Sequence, residues 1–304
     1  MKSYRPRLEL LEDRITLDNY IGNGLSSEIA SWQRLNPTTM MFEAALQLPG
    51  PNDSIGVRPR QTLTINQDLV VRGLTVAFQA GTALAFAGNR SLTVTSAAVI
   101  QNSVNMNGST LRFLNQAVIN NASFNGPPAV QNPAQILFLG NCRATISGNN
   151  TFNNTTIHVG FTGLMGAPIG AVPMQATLRV EGTMNLGLSR LNINAQGALQ
   201  LVTGAIRGTV PVSNFGTVTL QTPDAQDVFI CEQPIQLRDN GTYHPVQGSL
   251  QDGQGQPNVP MASAEPLTPD CALMEGPDPN YDYTYSADPP DPYWLDFLTA
   301  LESM

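Results

Sequence analysis

The sequence predicts an all-β fold, a single-stranded parallel β-helix of about eight or more coils with three short strands per coil. The first observation is a direct repeat, in which "SLTVTSAAVIQNSVNMNG" from Ser91 is followed by "TLRFLNQAVINNASFNG" from Thr110. The second is that apolar-x-apolar triplets recur about every 20 residues, the period of a solenoid whose units bury their apolar faces on each other. The third is composition: charged residues make up 12%, and Lys2 is the only lysine.

The triplets predict a first column of strands, because alternation with a period of two indicates a half-buried strand. Helical patterns do not alternate with them, and the pattern of a leucine-rich repeat, which competes for this period, does not recur. The predicted column consists of Leu74/Val76, Leu92/Val94, Leu111/Phe113, Ile136/Phe138, Ile157/Val159, Leu178/Val180, Leu199/Leu201 and Val218/Leu220.

The same alignment predicts two further columns and an asparagine turn. Asn102 and Asn121 occupy matched positions and predict a stacked amide ladder. A turn role is favoured over a polar binding strip, because asparagine tolerates left-handed conformations. The second column begins at Val99-Ile100, Val118-Ile119 and Thr145-Ile146, and the third is marked by Met106, Phe124 and Phe152 with the flanking residues Asn107, Asn125 and Asn153.

The ends of the coil are expected to be covered, because exposed edge strands promote aggregation. A short helical cap is predicted over 25–60, from two helical pieces within 26–48 that Pro37 interrupts. The predicted helix caps are Ser26 or Ser27 and Thr38 or Thr39, and the residues expected to cover the first coil are Trp32, Phe42 and Leu46. The other predicted segments are an N-terminal sorting-like segment (1–24), the β-helix (61–250) and an extended acidic tail (251–304).

Charge is distributed unevenly and argues against a nucleic-acid partner. Residues 61–220 contain seven arginines against Asp68 and Glu181, whereas residues 221–304 contain fourteen acids against Arg238. The acidic part would repel phosphates, and the central part lacks a clustered basic stripe. No apolar run approaches the roughly 20 residues of a transmembrane helix. The basic N-terminus lacks the apolar segment of an ordinary signal peptide.

The central coil is predicted not to be an enzyme. Many parallel β-helix proteins act on polysaccharides through grouped carboxylates. Asp68 and Glu181 are the only acids between residues 61 and 220. We expect about five turns, roughly 25 Å, between them. Paired-carboxylate glycosidases keep these groups within about 10 Å.

No cofactor or metal site is predicted. Cys231, His244 and Cys271 are the candidate zinc ligands, but their spacing fits no compact zinc motif and no fourth ligand is evident. A Cys231–Cys271 disulfide would be expected only in an exported protein. His158 lies between two inward positions and is therefore expected to point outward.

Two insertions interrupt the regular coil, at 125–134 and 160–173. Long insertions on a solenoid often form its binding face. The second contains Phe161, Leu164 and Met165, the candidate ligand or partner loop; the alternative is a loop that folds onto the wall of the coil.

The segment "RPRLELLEDRITLD" resembles the N-terminal R-x-L-E-x-L-E-x-R type motif of many planctomycete surface and exported proteins. The matching residues, the candidate sorting motif, are Arg7, Leu8, Glu9, Leu11, Glu12 and Arg14. The resemblance implies a cell-surface or extracellular location and ends after Arg14. A short amphipathic helix is the alternative interpretation. The body is also similar, in strand pattern alone, to right-handed β-helices of secreted adhesins and autotransporter passengers.

The last fourteen residues, 291–304, predict an amphipathic helix. Its candidate docking face consists of Trp294, Leu295, Phe297, Leu298 and Leu301. A helix of this length is marginal in water by itself, so the face must dock. The two candidate positions are the C-terminal edge of the coil, which we favour, and a separate partner.

The sequence thus favours a non-enzymatic cell-surface or envelope protein with a structural or adhesive role. A carbohydrate-binding or polysaccharide-cleaving β-helix is the alternative. The partners expected are a surface polysaccharide or another envelope protein.

Overall fold

The chain forms an all-β parallel solenoid of about eight turns, as predicted. The structure is a computed structural model and describes residues 19–128, 133–160 and 175–262. Each turn passes through three flat faces, which we call face 1, face 2 and face 3 in the order in which the chain visits them. Within these residues the only helix is a short 3-10 turn, Ile29–Ser31, and no helix is long and apolar enough to cross a membrane.

Faces 1 and 2 are joined, because two long strands continue around the corner between them. Strands are numbered in chain order. Face 1 contains the first halves of β7 (Leu69–Val76) and β9 (Ser91–Ile100), followed by β11 (Thr110–Phe113), β14 (Ala134–Phe138), β17 (Thr155–Val159), β20 (Arg190–Ile193), β23 (Val212–Asn214), β26 (Ile235–Leu237) and β29 (Met261–Ala262). Face 2 contains β1 (Asn19–Gly22), β5 (Ser54–Val57), the second halves of β7 and β9, β12 (Gln116–Asn120), β15 (Arg143–Ser147), β18 (Ala176–Val180), β21 (Gly197–Leu201), β24 (Thr217–Gln221) and β27 (Thr242–Gln247).

Face 3 is a separate parallel sheet of ten strands. Its strands are β2 (Gly24–Leu25), β6 (Thr62–Ile65), β8 (Ala83–Phe86), β10 (Ser103–Asn105), β13 (Ser123–Asn125), β16 (Asn149–Asn153), β19 (Thr183–Gly187), β22 (Ala205–Gly208), β25 (Val228–Cys231) and β28 (Ser249–Gln251). The three faces enclose one continuous apolar core. Every second residue points into it, which is why the period-two alternation predicted these strands.

The predicted first column is wrong in one respect, because its triplets belong to two faces. Four of them, from Leu92/Val94 to Ile157/Val159, stack on face 1 as predicted. Leu178/Val180 instead stacks on Ala144/Ile146 of face 2. The other triplets on face 2 are Leu74/Val76, Leu199/Leu201 and Val218/Leu220. The interval from Ile157 to Leu178 is about as long as one turn, but it leads only from face 1 to face 2, because the insertion lies between them.

The second column is confirmed on face 2, and the third is confirmed for two of its three members. Phe124 and Phe152 pair in register on face 3, and their rings stack with centroids 5.1 Å apart. The residue that precedes Phe124 in this column is Val104, not Met106. A second pair, Phe113 and Phe138, stacks at 5.4 Å on face 1. Such ring pairs contribute about 0.5–1.5 kcal/mol beyond the burial of their area.

The predicted helical N-terminal cap is also wrong. An antiparallel hairpin of β3 (Trp32–Asn36) and β4 (Met41–Ala44) pairs with β1 and covers the first turn. Asn36 makes the turn, since its Oδ1 accepts the backbone N–H groups of Thr38 and Thr39, which therefore cap no helix. The physical reason is the open edge of β1, whose backbone groups a strand can pair and a helix cannot.

The three residues expected to cover the first coil behave differently. Trp32 is buried, and its Nε1 donates to the backbone oxygen of Ser26 at 3.0 Å. Phe42 is half-buried, whereas Leu46 is 91% exposed. Ser26 is not a helix cap either, because its Oγ donates to Asn66 Oδ1 at 3.0 Å. Of the three residues, only Trp32 belongs to the buried core.

Candidate functional site

The two carboxylates of the central coil lie far apart. Asp68 precedes β7, and its Oδ1 accepts the backbone N–H of Ser91 at 2.8 Å. Glu181 follows β18, and its Oε1 accepts from Nε of Arg179 at 2.6 Å. Strands β7 and β18 are four steps apart on face 2, or roughly 19 Å along the coil axis. This is one step fewer than expected, but it still exceeds the separation of about 10 Å in a catalytic carboxylate pair.

The cysteine and histidine candidates do not converge either. Cys231 is buried inside face 3, where its thiol donates to the backbone oxygen of Gln233 at 3.1 Å. His244 is exposed on the outer side of face 2. In the part of the chain that the structure describes, no group of three or more His, Cys, Asp or Glu side chains could hold a metal ion. Cys271 lies outside that part, so the disulfide stays a prediction.

The two cysteines that the structure describes, Cys142 and Cys231, are unreactive. Burial raises the pKa of Cys142 far above that of a free thiol, and it raises the pKa of Cys231 to about 12. A thiol is nucleophilic only as the thiolate, so both are unreactive at neutral pH while the coil is folded.

Three other predicted sites lie outside the described residues and stay predictions. They are the candidate loop with Phe161, Leu164 and Met165, the candidate sorting motif from Arg7 to Arg14, and the candidate docking helix with Trp294, Leu295, Phe297, Leu298 and Leu301. His158 is described, and it lies on the outer side of face 1 between Leu137 and Asn192, as expected.

The structure does contain an asparagine ladder, at a different place from the predicted one. Asn105, Asn125 and Asn153 lie in register on the outer side of face 3. The Asn125 amide donates to Asn105 Oδ1 at 3.2 Å, and the Asn153 amide donates to Asn125 Oδ1 at 2.9 Å. These three residues form what we call the asparagine ladder.

Asn102 and Asn121 do not form the predicted amide ladder, because each bonds to a neighbouring backbone. The Asn102 amide donates to the carbonyl oxygens of Ala77 and Gln79. Oδ1 of Asn121 accepts the backbone N–H of Asn149 at 2.8 Å. Asn121 has a φ of 54°, so the predicted turn role is confirmed for this residue.

Hydroxyl side chains lie beside the asparagine ladder in a second row. Ser103, Ser123 and Thr151 are also in register, two residues before the asparagines and therefore on the same outer side. Ser103 Oγ accepts from the Asn125 amide at 3.4 Å. We call the asparagine ladder and these three hydroxyl residues together the polar strip.

The polar strip can form hydrogen bonds but cannot transfer protons at ordinary pH. An amide has two N–H donors and an oxygen with two acceptor sites. Asn125 uses all of them within the strip, because its Nδ2 donates to Asn105 Oδ1 and Ser103 Oγ, and its Oδ1 accepts from the Asn153 amide and the Ser123 hydroxyl. Among the described residues, the bonds of the ladder leave Asn105 Nδ2 and Asn153 Oδ1 available at its two ends, and the hydroxyl row repeats at the strand spacing of about 4.8 Å. A flat array of uncharged amides and hydroxyls is suited to a ligand rich in hydroxyl groups.

Sequence reasoning found two members of the asparagine ladder and missed the third. The sequence pattern places Asn125 and Asn153 beside Phe124 and Phe152, but the alignment of "NMNG" with "SFNG" puts Asn107 in the row. In the structure Val104 matches Phe124, so Asn105 is the member. The two extra residues of the earlier turn belong to its corner.

Comparison with known proteins identified no relative of this chain: no family model, no curated protein and no solved structure matches it.

Proposed function

We propose that this chain is a non-enzymatic cell-surface or envelope protein whose coil acts as a rigid, adhesive rod. The observation that carries the proposal is the continuous pairing of parallel strands from turn to turn around one apolar core. Such a body cannot bend at one turn without breaking strand pairs on all three faces. Rigidity of this kind suits a spacer that holds a binding surface away from the cell.

The surface location rests on the resemblance of residues 7–14 and on composition. An Asn-, Ser- and Thr-rich wall with few charges supplies a broad polar contact area without strong repulsion from an envelope polymer. The partners we propose are a surface polysaccharide or another envelope protein.

Cysteine labelling on intact cells tests the location. In a Cys271→Ser background the two remaining native thiols are buried, so an introduced surface cysteine is the reactive one. Gln116→Cys places a thiol at an exposed position of β12, and Ile119→Cys places a matched thiol at a buried position of the same strand. A membrane-impermeant maleimide should label the first on intact cells and the second only after denaturation. Labelling of Gln116→Cys only after lysis would refute the surface location.

Carbohydrate binding is the second candidate, and the polar strip favours it. The outward amides and hydroxyls offer repeated donors and acceptors to sugar hydroxyls, and the strip has no charge that a neutral polysaccharide would leave unpaired. The separation of Asp68 and Glu181 excludes that pair as the acid and base of a cleavage reaction. Binding without cleavage is therefore the form of this candidate that we propose.

Sedimentation with envelope polysaccharide tests this candidate. Replacing Asn105 and Asn153 with alanine removes the two amides that keep hydrogen-bonding groups for a ligand, at about 1 kcal/mol each, which predicts roughly thirtyfold weaker binding. The double variant Gln200→Ala and Thr219→Ala removes outward polar groups from face 2 and is the matched control. Equal affinity of both variants would remove the polar strip as the binding surface.

A further inference from the structure

The dipeptide Asn-Gly occurs four times in the chain, and the fold places each pair differently. Asparagine is a thermolabile residue, because the backbone nitrogen of the next residue can attack its side-chain amide. A glycine at that next position leaves the approach open, since it has no Cβ atom. The four asparagines are Asn23, Asn107, Asn125 and Asn240.

Asn107 lies in a tight turn at the corner between β10 and β11. One backbone hydrogen bond closes the turn, from the Ser109 N–H to the Met106 oxygen at 2.9 Å. Asn107 and Gly108 have φ angles of 45° and 78°, which suit the two central positions of a type I′ turn. The Asn107 side chain is exposed. A surface turn held by one bond opens locally without unfolding the coil.

Both reacting groups of this pair are free. Within the part of the chain that the structure describes, no acceptor takes the Gly108 N–H, and no group is hydrogen-bonded to the Asn107 amide. The nucleophile and the carbon that it would attack are therefore held by the turn alone.

The pair at Asn125 is held at both groups. The Asn125 amide makes four hydrogen bonds within the polar strip. The Gly126 N–H donates to the backbone oxygen of Asn153 at 2.7 Å. Attack would require these bonds to break first, so the fold protects this asparagine.

The remaining two pairs are each held at the backbone. Asn240 is exposed, but the Gly241 N–H donates to the oxygen of Arg238 at 2.7 Å. Asn23 precedes Gly24, whose backbone is fixed by the pairing of β2 with β6. Only the pair at Asn107 combines a free nucleophile with a free amide.

We propose that Asn107 is the site at which the folded chain deamidates spontaneously, with water as the co-reactant. The Gly108 nitrogen bonds to Cγ of Asn107, and the Cγ–Nδ2 bond breaks. Ammonia leaves with the proton of the Gly108 N–H, and a cyclic succinimide remains. Water then opens the ring at either of its carbonyl carbons, which gives aspartate or isoaspartate without any oxidation or reduction.

The two products change the corner in different ways. Both replace a neutral amide with a carboxylate beside the polar strip, and isoaspartate also inserts a methylene into the main chain. The corner is anchored before this position, where the Met106 N–H donates to the Asn125 oxygen at 2.7 Å. It is anchored after it as well, where the Thr110 N–H donates to the Arg90 oxygen at 2.8 Å. Isoaspartate should therefore lower the Tm more than Asn107→Asp does, because that variant adds the charge alone.

Timed peptide mapping of the full chain tests the proposal. The folded protein is incubated in mildly alkaline buffer well below its Tm, and mass spectrometry follows each Asn-Gly pair. Asn107 should deamidate several-fold faster than the other three asparagines. Incubation in urea is the matched control, because the same dipeptide without the fold should react at similar rates at all four positions. Release of ammonia gives a second readout, and its fast phase should be missing from Asn107→Gln, whose longer side chain disfavours ring closure.

The outcomes separate the fold from the local sequence. A fast reaction at Asn107 that gives both aspartate and isoaspartate and loses its advantage in urea supports the proposal. Equal rates at Asn107 and at Asn125 or Asn240 in the folded protein overturn it. Aspartate as the sole product rules out the succinimide step and overturns it too. An advantage of Asn107 that persists in urea assigns the rate to neighbouring residues in the sequence, which removes the role of the fold.

Discussion

Gly216 lies at the corner between faces 1 and 2, and its replacement by alanine tests how closely successive turns stack. A Cβ atom at this position would lie 2.3 Å from the backbone oxygen of Asn194 and 2.3 Å from that of Gly197. Carbon–oxygen contacts normally begin near about 3.3 Å, so the two turns must separate locally by roughly 1 Å. Both obstructing atoms belong to the backbone of the preceding turn, and neither can rotate away.

The expected cost follows from overpacking alone. The φ angle of Gly216 is outside the left-handed region, so alanine brings no dihedral strain. Forcing extra atoms into a packed interior costs about 1–3 kcal/mol, and the rigid backbone contact places this change at the upper end, about 3 kcal/mol. For a domain of this size that corresponds to a fall in Tm of roughly 6–12 °C. Thermal unfolding followed by circular dichroism measures it.

Gly88→Ala is the matched control. Gly88 has a φ of 77°, but its Cβ would meet nothing within 4 Å. Its cost is therefore the left-handed strain alone, about 1–2 kcal/mol. If Gly216→Ala is no more destabilising than Gly88→Ala, the turns do not approach as closely as the structure has them, and the corner packing is incorrect.

Three further predictions address a buried thiol, the third column and the register. Burial raises the pKa of Cys231 to about 12, so between roughly pH 8.5 and that value the folded chain keeps a proton that the unfolded chain loses; the free energy of unfolding should fall by about 1.4 kcal/mol per pH unit there. Urea titrations of Cys231→Ala should lack this contribution, and an unchanged slope would contradict the burial. A double-mutant cycle of Phe124→Leu and Phe152→Leu should give a coupling of about 0.5–1.5 kcal/mol, whereas zero coupling would argue against the stacking of their rings. Val180→Asp should cost more than about 4 kcal/mol in denaturant unfolding, but Arg179→Ala less than about 1, since Val180 faces the core and Arg179 has only an exposed ion pair; equal costs would refute the register.

The errors in the predicted columns have a common origin. The prediction that Val180 and Leu199 point into the core is confirmed, although the face predicted for them is wrong. Alternation is local, so it identifies which side of a strand is buried. It does not identify which strand lies alongside, because an insertion such as the one after Val159 changes the count without changing the pattern. The wrong prediction of Asn107 in the asparagine row has the same cause, because two extra corner residues precede Gly108.

The N-terminal hairpin was missed for a different reason. Residues 26–48 have no long alternation, and Pro37 with the nearby threonines also fits the start of a helix. The open edge of β1 decides between the alternatives, and an edge exists only once the coil has formed.

The sequence by itself determined the class of fold, the inward positions of the strands and the absence of a close carboxylate pair from residues 61–220. Each of these depends on residue type and on alternation along the chain. The tertiary structure decided which triplets share a face, that Asn105, Asn125 and Asn153 meet in one ladder, and that a hairpin with the buried Trp32 covers the first turn. These features depend on contacts between residues a full turn or more apart, whose alignment is set by how many residues each corner takes up.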